Sequence, residues 1–303
     1  MKSIKLSIPA GISAIFDPYI LEDPFLTGAR GAGVVASNAV SISVSLTESE
    51  ELMVINKING ETVEGGIGVI AVKTFFEYLR ITKDNYRIEI SQEIKVPISS
   101  GFGTSAASAM GIIFALSKLL KIPLSLVEVG NIAHIAEIRA RTGLGTISGL
   151  VFPGDIVLVA KPGSPSNCLV DHIVLPYKDV YVILASKGRI ETSKALKDPN
   201  FVVKASKIGK IGVDLLLKKP TINRFFKITY WFANKLGLMT KDIRETILCL
   251  KKYVIGASQA MIGDSIFALA FKENVEEVKS LIKEKLNVES VALKLVRLGY
   301  FYE

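Results

Sequence analysis

Between Pro97 and Ala107 the chain reads PISSGFGTSAA, and these residue types suit phosphate chemistry. Gly101 and Gly103 can adopt turns that side chains forbid, and they let a ligand approach the main chain. Ser99, Ser100, Thr104 and Ser105 place hydroxyls in the same run, around Phe102. Ala106 and Ala107 keep the first turn of a following helix free of bulk. The first N–H groups of a helix have no intrahelical partner and carry partial positive charge. Phosphate is a common occupant of such a helix end. Thr104 or Ser105 is expected to cap the helix. A helix start with no ligand would use the same residues, and spacing alone does not separate the two readings.

The flanking elements are what must position this loop. Tyr86, Ile88, Ile90, Ile94 and Val96 alternate with polar residues, so 86–96 is a half-buried strand. The spacing predicts a helix over 104–120, with Ala106, Met110, Ile113 and Phe114 on its apolar face. A second helix spans 123–141, with Ser125 as its cap and Glu137 near its end. The glycine-rich turn TGLGTISG follows. Further strands are expected at 4–8, 40–46, within GDIVLVAKPG, at 180–185, within 257–271 and at the final SVALKLVRLG. Further helices are expected at 69–78, 199–218, 223–236, 240–253 and 274–286. KPGSPSN, 161–167, is the most linker-like segment, so the expected units are 1–170 and 171–303, with an α+β sandwich in the second.

Composition narrows the function classes. Of the 303 residues, 49% are hydrophobic, which supports a full core. Two cysteines, Cys168 and Cys249, give no disulfide framework, which fits a cytoplasmic chain. No apolar run is long enough for a membrane span, and the N-terminus reads as a strand rather than a leader because Pro9 interrupts it. The net charge of +8 is matched by the excess of Lys and Arg between Lys187 and Lys227. Such a segment can attract phosphates or nucleic acid, and it also reads as a solvated lysine-rich face. It lacks clear aromatic interleaving, which disfavours nucleic acid. No P-loop, dinucleotide fingerprint, nucleophile elbow or Cys/His metal spacing occurs.

The run PISSGFGTSAA resembles the P-x-x-x-G-L-G-S-S-A-A signature of the GHMP kinases, with Phe102 for leucine and Thr104 for serine. IPAGISAIF, TGARGAGVVAS (27–37), HIAEIRARTGLG (134–145) and GASQAMIGDSIFA (256–268) resemble, in order, segments of that superfamily's archaeal pantoate kinase branch. The resemblance implies a ribosomal S5 domain 2-like N-terminal domain and a ferredoxin-like C-terminal domain. It implies transfer of the ATP γ-phosphate to pantoate or a similar small hydroxy acid, with Mg²⁺, and it allows a homodimer. Pro97, Ser99, Ser100, Gly101, Phe102, Gly103, Thr104, Ser105 and Ala106 would then hold ATP, and Ser105 with Glu137 would hold Mg²⁺. On residue type alone Glu137 reads as a solvated helical glutamate, since surface glutamates are common. Arg30 would bind the substrate carboxylate, Gly31 and Gly33 would let the substrate approach, and Ser13, Ser258 and Gln259 would line its site. Lys187 and Arg189 are further candidates for substrate or phosphate. The chain departs from the branch at Thr146, where an aspartate is usual, and at Gly11, where histidine is common. Threonine is no base near neutral pH, but it can hydrogen-bond the acceptor hydroxyl. Asp17 and Asp155 are the alternative carboxylates.

Overall fold

The computed structural model describes residues 2–82, 85–188, 195 and 197–299. Strands β1 (Lys2–Tyr19) and β2 (Gly28–Glu48) form a long antiparallel pair, well beyond the short strands at 4–8 and 40–46 that alternation predicts. The extension was hidden because the glycines and alanines of 28–36 carry no alternating apolar signal. The pair is irregular at Ile8/Ala10 and Ser13/Ile15, bulges that re-aim the strand. The opposite edge of β2 is shared. Its second half pairs with β5 (Tyr86–Ile94) and its first half with β6 (Ile156–Lys161). β3 (Met53–Ile58) and β4 (Glu61–Thr62) extend one side of this sheet, and β7 (Leu169–Ile173) closes the other.

Helices α1 (Gly66–Tyr78) and α2 (Thr104–Leu119) pack on the large sheet, and α3 (Leu126–Ala140) packs against both of them. At α3 the Ser125 hydroxyl accepts from the Glu128 N–H and the Glu128 carboxylate accepts from the Ser125 N–H, a reciprocal cap that fixes where the helix begins. A short helix, α4 (Thr146–Val151), occupies what reads in sequence as a glycine-rich turn.

The second sheet contains β8 (Val180–Gly188), β9 (Gly256–Gln259), β10 (Asp264–Phe271) and β11 (Ser290–Lys294), ordered β11–β8–β10–β9 and all antiparallel. Numbered by chain order within this sheet, that is the 4-1-3-2 arrangement of a ferredoxin-like layer. Helices α5 (Pro199–Lys218), α6 (Ile222–Leu236) and α7 (Lys241–Leu250) connect β8 to β9, and α8 (Val275–Leu286) connects β10 to β11. α5 and α6 bury one apolar face and expose Lys204, Lys207, Lys210, Lys218, Lys219 and Lys227. The basic excess there is a solvated face on packed helices.

The boundary at residue 170 needs correcting, because β7 keeps 169–173 in the first sheet. The change of layer lies between Ile173 and Val180. The layers also share one continuous core. α5 crosses so close to β1 that a Cβ on Gly209 would lie 2.1 Å from the Phe16 carbonyl oxygen. The chain returns at Val296, whose N–H donates to the Val35 carbonyl at 2.8 Å.

Candidate active site

The glycine loop 98–103 lies between β5 and α2. Its shape is set by protein contacts on two sides. Gly103, at φ +61°, precedes α2 in a left-handed conformation, and a Cβ there would meet the Gly11 carbonyl oxygen at 2.2 Å. Gly101, at φ +78°, lies against Met261 of the second layer, whose carbonyl would be 3.0 Å from such a Cβ. Ser265 Oγ donates to the Ser100 carbonyl at 2.7 Å, and the Met261 N–H donates to the Ser13 carbonyl at 2.8 Å. The turn between β9 and β10 therefore clamps the loop against β1.

Capping differs from expectation. The N-cap is Gly103, and no side chain caps α2. Thr104 and Ser105 are already inside the first turn, and the Thr104 carbonyl accepts from Ser108 Oγ at 2.9 Å. The first-turn N–H groups are thus left for another acceptor, in a helix start that carries no acidic side chain.

Beside this helix end sits Glu137. It is only 2% exposed, so the solvated-glutamate reading does not hold. Ser105 Oγ donates to its Oε1 at 2.6 Å and Thr142 Oγ1 to the same oxygen at 3.3 Å. Its Oε2 is buried with no hydrogen-bond partner. A Cβ on Gly143 would come within 2.6 Å of that oxygen, so the glycine leaves the carboxylate its space. Burial pushes the Glu137 carboxyl up to about 7, against the lowering effect of the Ser105 and Thr142 hydrogen bonds.

A cavity of about 290 Å³ opens in front of these residues. Ser99, Ser100, Gly101, Phe102, Gly103, Thr104 and Ser105 line it, as do Ser13, Arg30, Gly31, Gly33 and Thr146. Glu137 stands behind Ser105, Thr142 and Gly143, which also line it. Pro97 is half-buried outside the lining, and Ala106 is in the core, so only its main chain can serve a ligand.

Other expected site residues fall elsewhere. Gly31 and Gly33 do line the cavity, but their missing side chains accommodate β1: a Cβ on each would lie 2.3 Å from the Ile15 and 2.2 Å from the Ile12 carbonyl oxygen, respectively. Ser258 and Gln259 are fully buried on β9 and do not line the cavity. Gln259 Nε2 instead donates to the Gly263 carbonyl at 2.6 Å and the Leu238 carbonyl at 3.1 Å, bracing the turn that carries Met261 and Ile262. Those two residues form the second layer's part of the wall. Sequence reasoning missed them because an apolar pair beside a glycine reads as core, although the surrounding glycine motif marked the turn. Lys187 is paired with Asp242 away from the cavity, and Arg189 lies outside the described residues. Asp155 is buried against Arg297 and accepts from the Leu175 N–H at 3.3 Å, which removes it as a candidate base.

Arg30 extends from β2 opposite Asp17 of β1. Its Nη2 and Nε donate to Asp17 Oδ2 at 2.7 and 3.0 Å, and its Nη1 donates to Asp214 Oδ1 of α5 at 2.8 Å. Tyr19 donates to Asp17 Oδ2 at 3.0 Å and Ser206 to Oδ1 at 3.2 Å. Asp17 is thus fully engaged and is no free base. Burial would raise the Asp214 carboxyl, but hydrogen bonds from Arg30 and Lys210 outweigh it and hold the group below its ordinary value.

The GHMP kinases N terminal domain matches residues 63–151, which hold the glycine loop, Glu137 and Thr146. A pantoate kinase of Thermococcus kodakarensis is 30% identical over 286 residues, covering 93% of this chain and 92% of that protein. One from Methanocaldococcus jannaschii is 30% identical over 278 residues, covering 92% and 97%. A solved structure described as a phosphotransferase related to the CoA biosynthesis pathway superposes with a TM-score of 0.84 at 28% identity, covering 98% of this chain and 97% of that one. The mevalonate kinase of Methanococcus jannaschii, at a TM-score of 0.68 and 16% identity, shares the fold. With the loop, the buried glutamate and both layers in place, the chain belongs to the GHMP kinases, on the branch that holds the archaeal pantoate kinases.

Proposed function

We propose that this chain transfers the γ-phosphate of ATP to the primary hydroxyl of pantoate, a step of coenzyme A biosynthesis. The observation that carries the reading is the buried Glu137, hydrogen-bonded to Ser105 at the uncapped start of α2 and holding one oxygen without a partner. A lone glutamate so buried is costly unless something meets its charge. Mg²⁺ fits: it takes one or two carboxylates and completes its shell from phosphates and water. No cluster of three or more acidic, histidine or cysteine ligands exists among the described residues, so a cage built wholly from protein is not the alternative there. Glu137 and Ser105 would hold the ion, which when bound neutralises charge on the transferring phosphates.

The chain's own residues do the rest by placement. The N–H groups of Thr104, Ser105 and Ala106 receive phosphate oxygens at the positive end of α2. Arg30 meets the acceptor's carboxylate, and Ser13 lies on the same wall. Thr146 hydrogen-bonds the acceptor hydroxyl and orients it. Asp17 and Asp155 are both engaged by arginines and neither lines the cavity, so neither is placed to act as base there. Phosphoryl transfer tolerates this, since it depends chiefly on positioning and electrostatics.

The test is ADP release from Mg-ATP with pantoate, mevalonate, homoserine and other small hydroxy acids. Pantoate should give the highest kcat/KM; no release above background with pantoate, alongside release with another acid, would overturn the substrate. Thr146→Val keeps the shape and removes the hydroxyl. It should lower kcat/KM for pantoate roughly 3–10-fold, the scale of one hydrogen bond, and leave the KM for ATP unchanged in steady-state kinetics. Ser105→Ala should weaken Mg²⁺ activation about tenfold, read from the Mg²⁺ concentration giving half-maximal rate.

A further inference from the structure

Arg30 is one of the residues lining the cavity, and its guanidinium is held on two sides, by a buried carboxylate and by an exposed one. Asp17 is 1% exposed and Arg30 14%, while Asp214 is 45% exposed on the outer face of α5. The contacts on Asp17 are complete: Arg30 Nε and Nη2, the Tyr19 hydroxyl and the Ser206 hydroxyl account for both oxygens. Tyr19 also lies under the guanidinium, with Arg30 Cζ 5.8 Å from its ring centroid. This pair cannot open without burying an unmatched charge. Asp214 has a second cation at hand, Lys210 Nζ, 3.2 Å from its other oxygen. It can leave Arg30 and still be paired.

We propose that Asp17 is the positioning residue that aims Arg30 at the acceptor, and that Asp214 is a resident carboxylate which the acceptor's own carboxylate displaces from Arg30 Nη1. The inference rests on the reading of the acceptor as a hydroxy acid. It adds a source of selectivity. A carboxylate acceptor replaces one anion by another on Nη1 while Asp214 falls back on Lys210. A neutral acceptor can displace nothing and meets an arginine already neutralised. The ion pair also ties α5 of the second layer to β2 of the first, so occupancy of Nη1 is felt by both.

The decisive measurement is the kcat/KM ratio for pantoate over its primary amide, which has the same skeleton without the charge. In Asp214→Asn, the competing charge is gone from an exposed position, where the fold is insensitive. The KM for pantoate should fall about two- to fivefold, the range set by an exposed ion pair. The KM for ATP and the rate with the amide should not move, so the ratio rises. In Asp17→Asn, the KM for pantoate should rise at least tenfold with kcat changed much less, and the ratio should fall. An unchanged or lowered ratio in Asp214→Asn overturns the proposal, whatever the fate of Asp17→Asn, which can be lost to misfolding. Wild-type protein that turns over neither compound, yet phosphorylates an uncharged alcohol, overturns the hydroxy-acid reading and this inference with it.

Discussion

Glu137→Gln should lower kcat with Mg-ATP and pantoate by about 100-fold or more, near 3 kcal/mol of transition-state stabilisation. The amide keeps the volume and can still accept from Ser105, but it brings no charge to the ion. Two pH effects should accompany the loss. A carboxyl raised to about 7 by burial makes protons compete with Mg²⁺ well into the neutral range. The wild type should therefore need more Mg²⁺ at pH 6 than at pH 8, and the variant should show no such dependence. In chelator-treated protein the effect on stability has the opposite direction. The folded pKa exceeds the unfolded value, so the contribution of Glu137 is fully present below about 4.5 and is lost as pH rises through about 7. Urea unfolding without metal should show the wild type losing up to about 3 kcal/mol across that window, while Glu137→Gln stays flat over the same range.

The other large effect is expected at Gly103. Valine there must adopt a left-handed backbone, which costs about 1–2 kcal/mol before any contact is counted. Its Cβ would also meet the Gly11 carbonyl at 2.2 Å and the Thr146 methyl at 2.8 Å, and overpacking of this kind adds about 1–3 kcal/mol. Gly103→Val should therefore lose nucleotide binding and stability together, read as an absent Mg-ATP thermal shift and a lowered urea midpoint. A variant that kept wild-type stability and lost only nucleotide would place the glycine's role in ligand approach alone. The sequence assigns the close approach to a phosphate; in the fold, β1 already occupies the space.

That reversal shows what was legible. Local patterns carried far: alternation over 86–96 and helical spacing over 104–120 and 123–141 placed the loop and Glu137 on elements found at 86–94, 104–119 and 126–140. The family resemblance then named the fold that both sheets display. What stayed hidden were facts of tertiary approach. Nothing local to Glu137 distinguishes a buried glutamate from a solvated one, because its burial comes from α2 and the 142–143 turn. Nothing near Gly31 or Gly33 reveals that β1 bulges into them. The resemblance offers Arg30 as a ligand for the substrate carboxylate, but its partner Asp214 is 184 positions away and leaves no local sign. Ser258 and Gln259 are expected at the substrate, yet their place on β9 buries both, and Gln259 braces the turn that carries Met261 and Ile262.

The grip of the β9–β10 turn on the glycine loop has a practical corollary. Ser265 holds Ser100 and Met261 holds Ser13, so the nucleotide half owes its working geometry to residues some 160 to 250 positions downstream. A chimera that joins residues 1–173 to the second layer of a relative must import residues 260–265 unchanged. An excised first half would present the right motif with only its contact on β1 left to shape it.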